Sequence, residues 1–414
     1  MPSRRTFLAS SAAASVGAQI QAAEPGRKKL AVITNVWTYR SHAWHMAERF
    51  LHGYPIRGRW HHPPFEVVAA YVDQKPKGDL SADRAREFGF TIYPTVEEAI
   101  RRGGKKLSVD AVLIIGEHGT YPRNEFGQIQ YPRYQYFEKI TDVYKKDGRA
   151  VPVFNDKHLS WKFAWAKEMV ARSRDLRFGF CAGSSLPATW RMPAIDLPFG
   201  AEVEEAMCVA FGGLDVYDFH ALETIQCMVE RRRGGETGVA AVQAFRGEAV
   251  WKAIADGRWG KGLFETCLAR SQTLAQAPTL SHRYPTLAQM KQWVKDPVAY
   301  RIEYADGLRA TMLLLNGLVQ DFTFAARLKG RREPLSTLFY LPPNPNVAYS
   351  AALMAKAEET FLSNKSPTPI ERTLLTSGLT AAGLQSLAEN GKRLETPHLD
   401  VHYQVAAESQ FARE

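Results

Sequence analysis

The sequence predicts an α/β protein: a Rossmann-like N-terminal domain with a parallel sheet, followed by an α+β domain with an open, largely antiparallel sheet. Three observations lead there. Short apolar runs alternate with segments of helical spacing through the first 155 residues, which is the pattern of βαβ units. The runs are almost continuously apolar, as suits strands covered on both faces. In the second half the strand-like segments follow one another more closely and include an Asp306-Gly307 turn, a strong hairpin signal.

Taken in order, the four N-terminal strands are read at residues 30–33, 65–72, 109–115 and 150–154. Helices are read at 42–51, 81–87, 96–102 and 134–146. A longer amphipathic segment at 161–173 precedes a strand at 177–181, and a loop rich in Pro and Gly occupies 183–200. Beyond it, 202–211 reads as a strand, 220–231 as a helix, 300–315 as the hairpin, and 321–326 and 336–341 as further strands. Helices at 350–362 and near 379–390 close the chain. The division expected is a Rossmann-like domain over 28–155 and an α+β substrate domain with a C-terminal helical segment over 156–414, two domains being what this length suggests.

Residues 1–23 are set aside as an export signal. Ser3-Arg4-Arg5-Thr6-Phe7-Leu8 is a paired-arginine start, followed by a short apolar run diluted with Ala, Ser and Gly, and Ala22 or Ala23 offers a cleavage point. That order is the one a targeting segment needs. The run is too short and weak to span a bilayer, which takes ~20 predominantly apolar residues. The expectation is therefore a periplasmic or otherwise exported protein, partnered by the twin-arginine export machinery and not integral to a membrane. The formal charge of +10 is spread along the chain, without the basic stripe and interleaved aromatics of a nucleic-acid binder. Cys181, Cys208, Cys227 and Cys267 show no C-x-x-C spacing and read as buried free thiols.

In an open parallel sheet, ligands bind beyond the carboxyl ends of the strands, so the residues directly after each apolar run are the candidate site. Thr34-Asn35 and then Ser41-His42 follow the first run, Asp73 the second, Glu117-His118 the third, and Asp156-Lys157-His158 the fourth. Asp73 stands where a dinucleotide fold places the carboxylate that binds a ribose hydroxyl. Lys157 closes an apolar strand, where burial would depress its pKa toward the general-acid range. His118 reads as a base or a ligand, against the plainer alternative of a core histidine. His220 opens a helix with Glu223 one turn further along the same face. A helix N-terminus favours a neutral imidazole, and a capping arrangement is the bland alternative for that pair.

These residues resemble the glucose–fructose oxidoreductase and inositol dehydrogenase family. Residues 65–100 are similar to its second strand, helix and short third strand, and 109–112 to the segment leading into its cofactor-facing loop. Asp156-Lys157-His158 resembles the family's Glu-Lys-Pro, and Gly212-Gly213-Leu214-Asp215 with His220 resembles its Gly-Gly stretch with Asp and His. The resemblance implies an NAD(P)-dependent oxidoreductase acting on a small-molecule carbohydrate, a sugar or polyol. Lys157 and His220 would be the proton-handling pair with His118 beside them, and Thr34, Asn35, Ser41, His42, Asp73 and Glu117 would bind the cofactor. Three departures stand out. The first turn, Thr34 to Tyr39, has no glycine where the family has G-x-G-x-x-G; the tripeptide ends in His158; and Val216 occupies the place of the family's Asp. Those glycines permit a tight turn and close approach to pyrophosphate, which Val36 and Tyr39 would obstruct. Two other readings stay open. Glu117, His118, Asp156, His158, His220 and Glu223 would bind a divalent metal in a carbohydrate hydrolase or lyase, or the chain is an exported, non-catalytic sugar-binding protein. A homo-oligomer is left open as well.

Overall fold

A computed structural model describes residues 26–276, 284–342 and 347–413; the export signal read at 1–23 lies outside them. The N-terminal half builds a six-stranded sheet from β1 (Lys28–Thr34), β2 (Phe65–Val72), β3 (Thr91–Ile92), β4 (Ala111–Ile115), β5 (Val153–Asp156) and β6 (Phe180–Gly183). Its order is β3-β2-β1-β4-β5-β6, and every pairing is parallel. The two-residue period of a strand explains the layering. Leu30 and Val32 of β1 pack on one side with α1 (His42–His52), while Ala31 and Ile33 pack on the other with α3 (Val96–Arg101), α4 (Arg133–Asp147) and α5 (Phe163–Asp175). The helix α2 (Ser81–Phe88) lies at the β3 edge.

The expected boundary at residue 155 falls inside this sheet. Val153 pairs with Phe180 and Asp156 with Gly183, so the parallel sheet runs on to Gly183. A strand at 177–181 was expected, but its partner was not, because parallel pairing leaves no mark on the local pattern.

The second sheet contains β7 (Trp190–Met192), β8 (Val203–Ala210), β9 (Val239–Arg246), β10 (Val298–Tyr304), β11 (Arg309–Leu314), β12 (Phe322–Leu328), β13 (Leu335–Tyr340) and β14 (Leu394–Glu395). The order is β14-β9-β10-β11-β8-β12-β13-β7; β8 and β11 run parallel and the other neighbours antiparallel. One face carries α6 (Tyr217–Val229) and α11 (Ile370–Ala388). Buried residues cover nearly all sides of α6, as a helix sandwiched between layers requires. The other face is covered by α7 (Glu248–Ala255), α8 (Lys261–Arg270) and α9 (Leu287–Trp293), with Trp251, Trp259 and Phe264 buried beneath them. The sequence pattern places no element between 231 and 300, where the structure has β9 and these three helices. The helix α10 (Tyr349–Ser363) crosses back, and its Leu353, Met354 and Phe361 join the core around α1 and β1. All four cysteines are buried and free. Among the described residues no helix is long and apolar enough to cross a membrane.

Candidate active site

The carboxyl ends of β4 and β5 meet the first turns of α1 and α6 around a cavity of about 150 Å³. His42, His45, Glu117, His118, Lys157 and His220 line it, with Asp156, Ser184, Tyr217, Phe322 and Tyr349 completing the wall.

Lys157 follows β5 directly. Its backbone is left-handed, at φ 57°, and its amide donates to Gly183 O at 3.1 Å, which aims the buried side chain inward. There Nζ lies 3.1 Å from Glu117 Oε1, while the guanidinium of Arg133 holds the other Glu117 oxygen. Arg133, the first residue of α4, is completely buried. A Cβ on Gly116 would lie 2.5 Å from its Cγ, so a glycine is needed where Arg133 crosses the strand end. Burial alone would raise the Glu117 pKa, but the charges of Lys157 and Arg133 hold it well below the usual carboxylate range.

His118, at φ 64°, is the second non-glycine residue at a strand end in this strained region. Burial, and then the neighbouring His42, lower its pKa to about 4. Its ring meets His42 edge-on, centroids 4.9 Å apart. His42 opens α1 behind the Ser41 cap, and its Nδ1 is 2.6 Å from Oδ2 of the buried Asp156. On the opposite wall, His220 sits in the first turn of α6 against Tyr217 and Phe322. Burial, and then the Lys157 charge, push its pKa well down, so a neutral imidazole faces Lys157.

Two expected members lie elsewhere. His158 turns behind the cavity, with Nε2 3.0 Å from Arg133 Nη1 and its ring against Phe219. Glu223 does not pair with His220: its Oε2 accepts the Ser184 amide at 2.7 Å, and burial raises its pKa to about 7. Both Glu117 oxygens are engaged, one by Lys157 and one by Arg133. The six residues of the metal reading therefore do not converge. Among the described residues no group of three or more His, Cys, Asp and Glu is arranged to hold a metal ion.

No family model matches the chain, and no curated protein matches it in sequence. Solved structures do match in fold. GenD2 from gentamicin A biosynthesis, in complex with NAD, aligns with a TM-score of 0.56 at 13% identity, over 90% of this chain and 97% of that one. The myo-inositol dehydrogenase of Lactobacillus casei, in complex with NAD(H) and myo-inositol, gives 0.52 at 12% identity over 89% and 96%. The apo scyllo-inositol dehydrogenase of the same organism gives 0.53 at 12% identity over 89% and 98%. The chain shares the fold of these proteins. At such identities the likeness is one of fold, and activity has to be argued from the cavity.

Set against a dinucleotide-binding turn, the first turn of this crevice differs in sequence and in shape. In a glycine turn the helix opens within the motif; here α1 opens only at His42. Val36 and Trp37 are buried, Trp37 stacking on Phe90. The Thr34 hydroxyl donates to Val36 O and Ile115 O. Asn35 donates to His118 O and accepts from Tyr136 OH. Asp73 accepts from Tyr71 and Tyr121 hydroxyls at 2.6 and 2.7 Å. Thr34, Asn35 and Asp73 thus stitch the strand ends together. What remains for an anion is the start of α1, where the His42 and Ala43 amides have no intrahelical acceptor, with Arg40 beside them at φ 63°. Sequence reasoning missed His45, Arg133, Ser184 and Tyr349. His45 was within reach, three residues from His42 on one helix face; Arg133 carried no signal.

Proposed function

We propose that this protein is an NAD(P)-dependent oxidoreductase acting on a sugar or polyol, exported by the twin-arginine route. One observation carries the catalytic part: Lys157 from the N-terminal sheet and His220 from the second domain share a single cavity. Support comes from a fold held in common with proteins solved with NAD and with myo-inositol. Bound nicotinamide would supply the hydride acceptor or donor, and the first amides of α1 are the groups placed to hold its diphosphate.

The chain's own contribution is to charge and protons. Lys157 Nζ offers N–H donors to a substrate oxygen, in a water-poor site where such donors stabilise developing negative charge strongly. Glu117 fixes where that ammonium points, and Arg133 fixes Glu117. His220, neutral, hydrogen-bonds a hydroxyl from the opposite wall. Mature protein given NAD+ or NADP+ with a panel of inositols, hexoses and their glycosides should reduce nicotinamide on at least one, followed by absorbance. The Lys157→Met enzyme should be slower by roughly 100-fold or more, the usual scale for losing a donor to a developing negative charge. A panel without turnover, or a fully active Lys157→Met enzyme, would contradict the proposal. Export is supported by the order of Arg4-Arg5, apolar run and cleavage point.

A further inference from the structure

We propose that His42, oriented by Asp156, is the proton acceptor of this cavity. The inference rests on the proposed function only in taking the substrate to bear a hydroxyl. Four imidazoles line the cavity: His42, His45, His118 and His220. They differ in what stands behind each ring. His45 Nε2 is 3.1 Å from the Arg40 carbonyl, a neutral group. His118 and His220 have no carboxylate partner among the described residues. His42 alone is backed by one, with Nδ1 2.6 Å from Asp156 Oδ2.

A carboxylate can only accept, so the ring proton of neutral His42 lies on Nδ1 and leaves Nε2 bare. That nitrogen has no hydrogen-bond partner among the described residues. Accepting a proton there turns the ring into an imidazolium, and the buried Asp156 carboxylate is in contact to balance it, the division of labour of a His–Asp pair. In the step, the substrate O–H bond breaks, its electron pair stays on the oxygen facing Lys157, and the proton forms Nε2–H. His42 also keeps 18% of its side-chain surface while Asp156 keeps none, so a proton taken inside the cavity has a path to solvent through the same ring. Asp156 acts through His42 and is a positioning residue.

The test needs neither nicotinamide nor substrate, so it stands or falls apart from the oxidoreductase reading. In full-length mature protein labelled with ¹⁵N-histidine, the His42 ring, assigned by its loss in His42→Gln, should show a protonated Nδ1 and a bare Nε2. In Asp156→Asn the amide donates to Nδ1, and the proton should move to Nε2. Diethylpyrocarbonate, which attacks unprotonated imidazole nitrogen, should modify His42 of the wild type before the other three cavity histidines, read by peptide mass. A protonated Nε2 in neutral wild-type His42, no tautomer change in folded Asp156→Asn, or an unreactive His42 beside reactive neighbours would each overturn the proposal.

Discussion

Lys157 and His118 adopt left-handed backbone conformations that cost a residue with a Cβ about 1–2 kcal/mol. Such outliers persist where surrounding structure holds them, and they gather at functional sites. The cost can be measured. His118→Gly should be about 1 kcal/mol more stable than His118→Ala in denaturant unfolding, because only glycine escapes the steric penalty. Equal stability would show that the turn is relaxed. The buried triad behind the cavity makes a second residue-scale prediction. Glu117→Gln leaves Lys157 and Arg133 as two enclosed cations without a counter-charge and should destabilise by about 3–5 kcal/mol. Arg133→Met leaves Glu117 and Lys157 as a neutral pair, so its loss should be clearly smaller. The reverse order would contradict the pairing described.

At the scale of elements, β6 and α6 meet where Gly183, at φ 124°, would bring a Cβ within 2.7 Å of Glu223 Oε1. Glu223 ordinarily titrates near 4.5 and is raised to about 7 by burial. Folding therefore strengthens its hold on a proton. The resulting stability is fully present below about 4.5 and lost as pH rises through 7. Glu223→Gln should lack this loss, so variant minus wild-type stability should grow between pH 4.5 and 7, with a slope approaching roughly 1.4 kcal/mol for each step of one in pH. A difference flat with pH would mean that Glu223 is not held protonated. Legibility also divides by element. β2 was readable to the residue because Pro64 and Asp73 bound its apolar run, and the start of α1 because Ser41 caps it. The edge pairing of β6 was not, since parallel pairing has no sequence period of its own, and neither were β9 and the helices α7–α9.

In the molecule as a whole, the placement of ligands beyond parallel strand ends located most of the cavity in advance: His42, Glu117, His118, Asp156 and Lys157 all line it. His220 came from the second domain by its place at a helix start and then by resemblance. What could not be read was direction. His158 follows Lys157 immediately yet points behind the site to Arg133, and Arg133 arrives from a helix start with no local mark of function. Export belongs to this scale too. If Arg4 and Arg5 address the folded protein, replacing both by Lys should leave precursor in the cytoplasm, seen by fractionation; unchanged export would remove the claim. The oxidoreductase reading depends on a nicotinamide dinucleotide working in this cavity despite a first turn without glycine. The decisive experiment is calorimetric titration of the mature protein, freed of any retained small molecule, with NAD+ and with NADP+. Saturable binding of one of them near one per chain is expected. No saturable binding of either dinucleotide would contradict the proposed function.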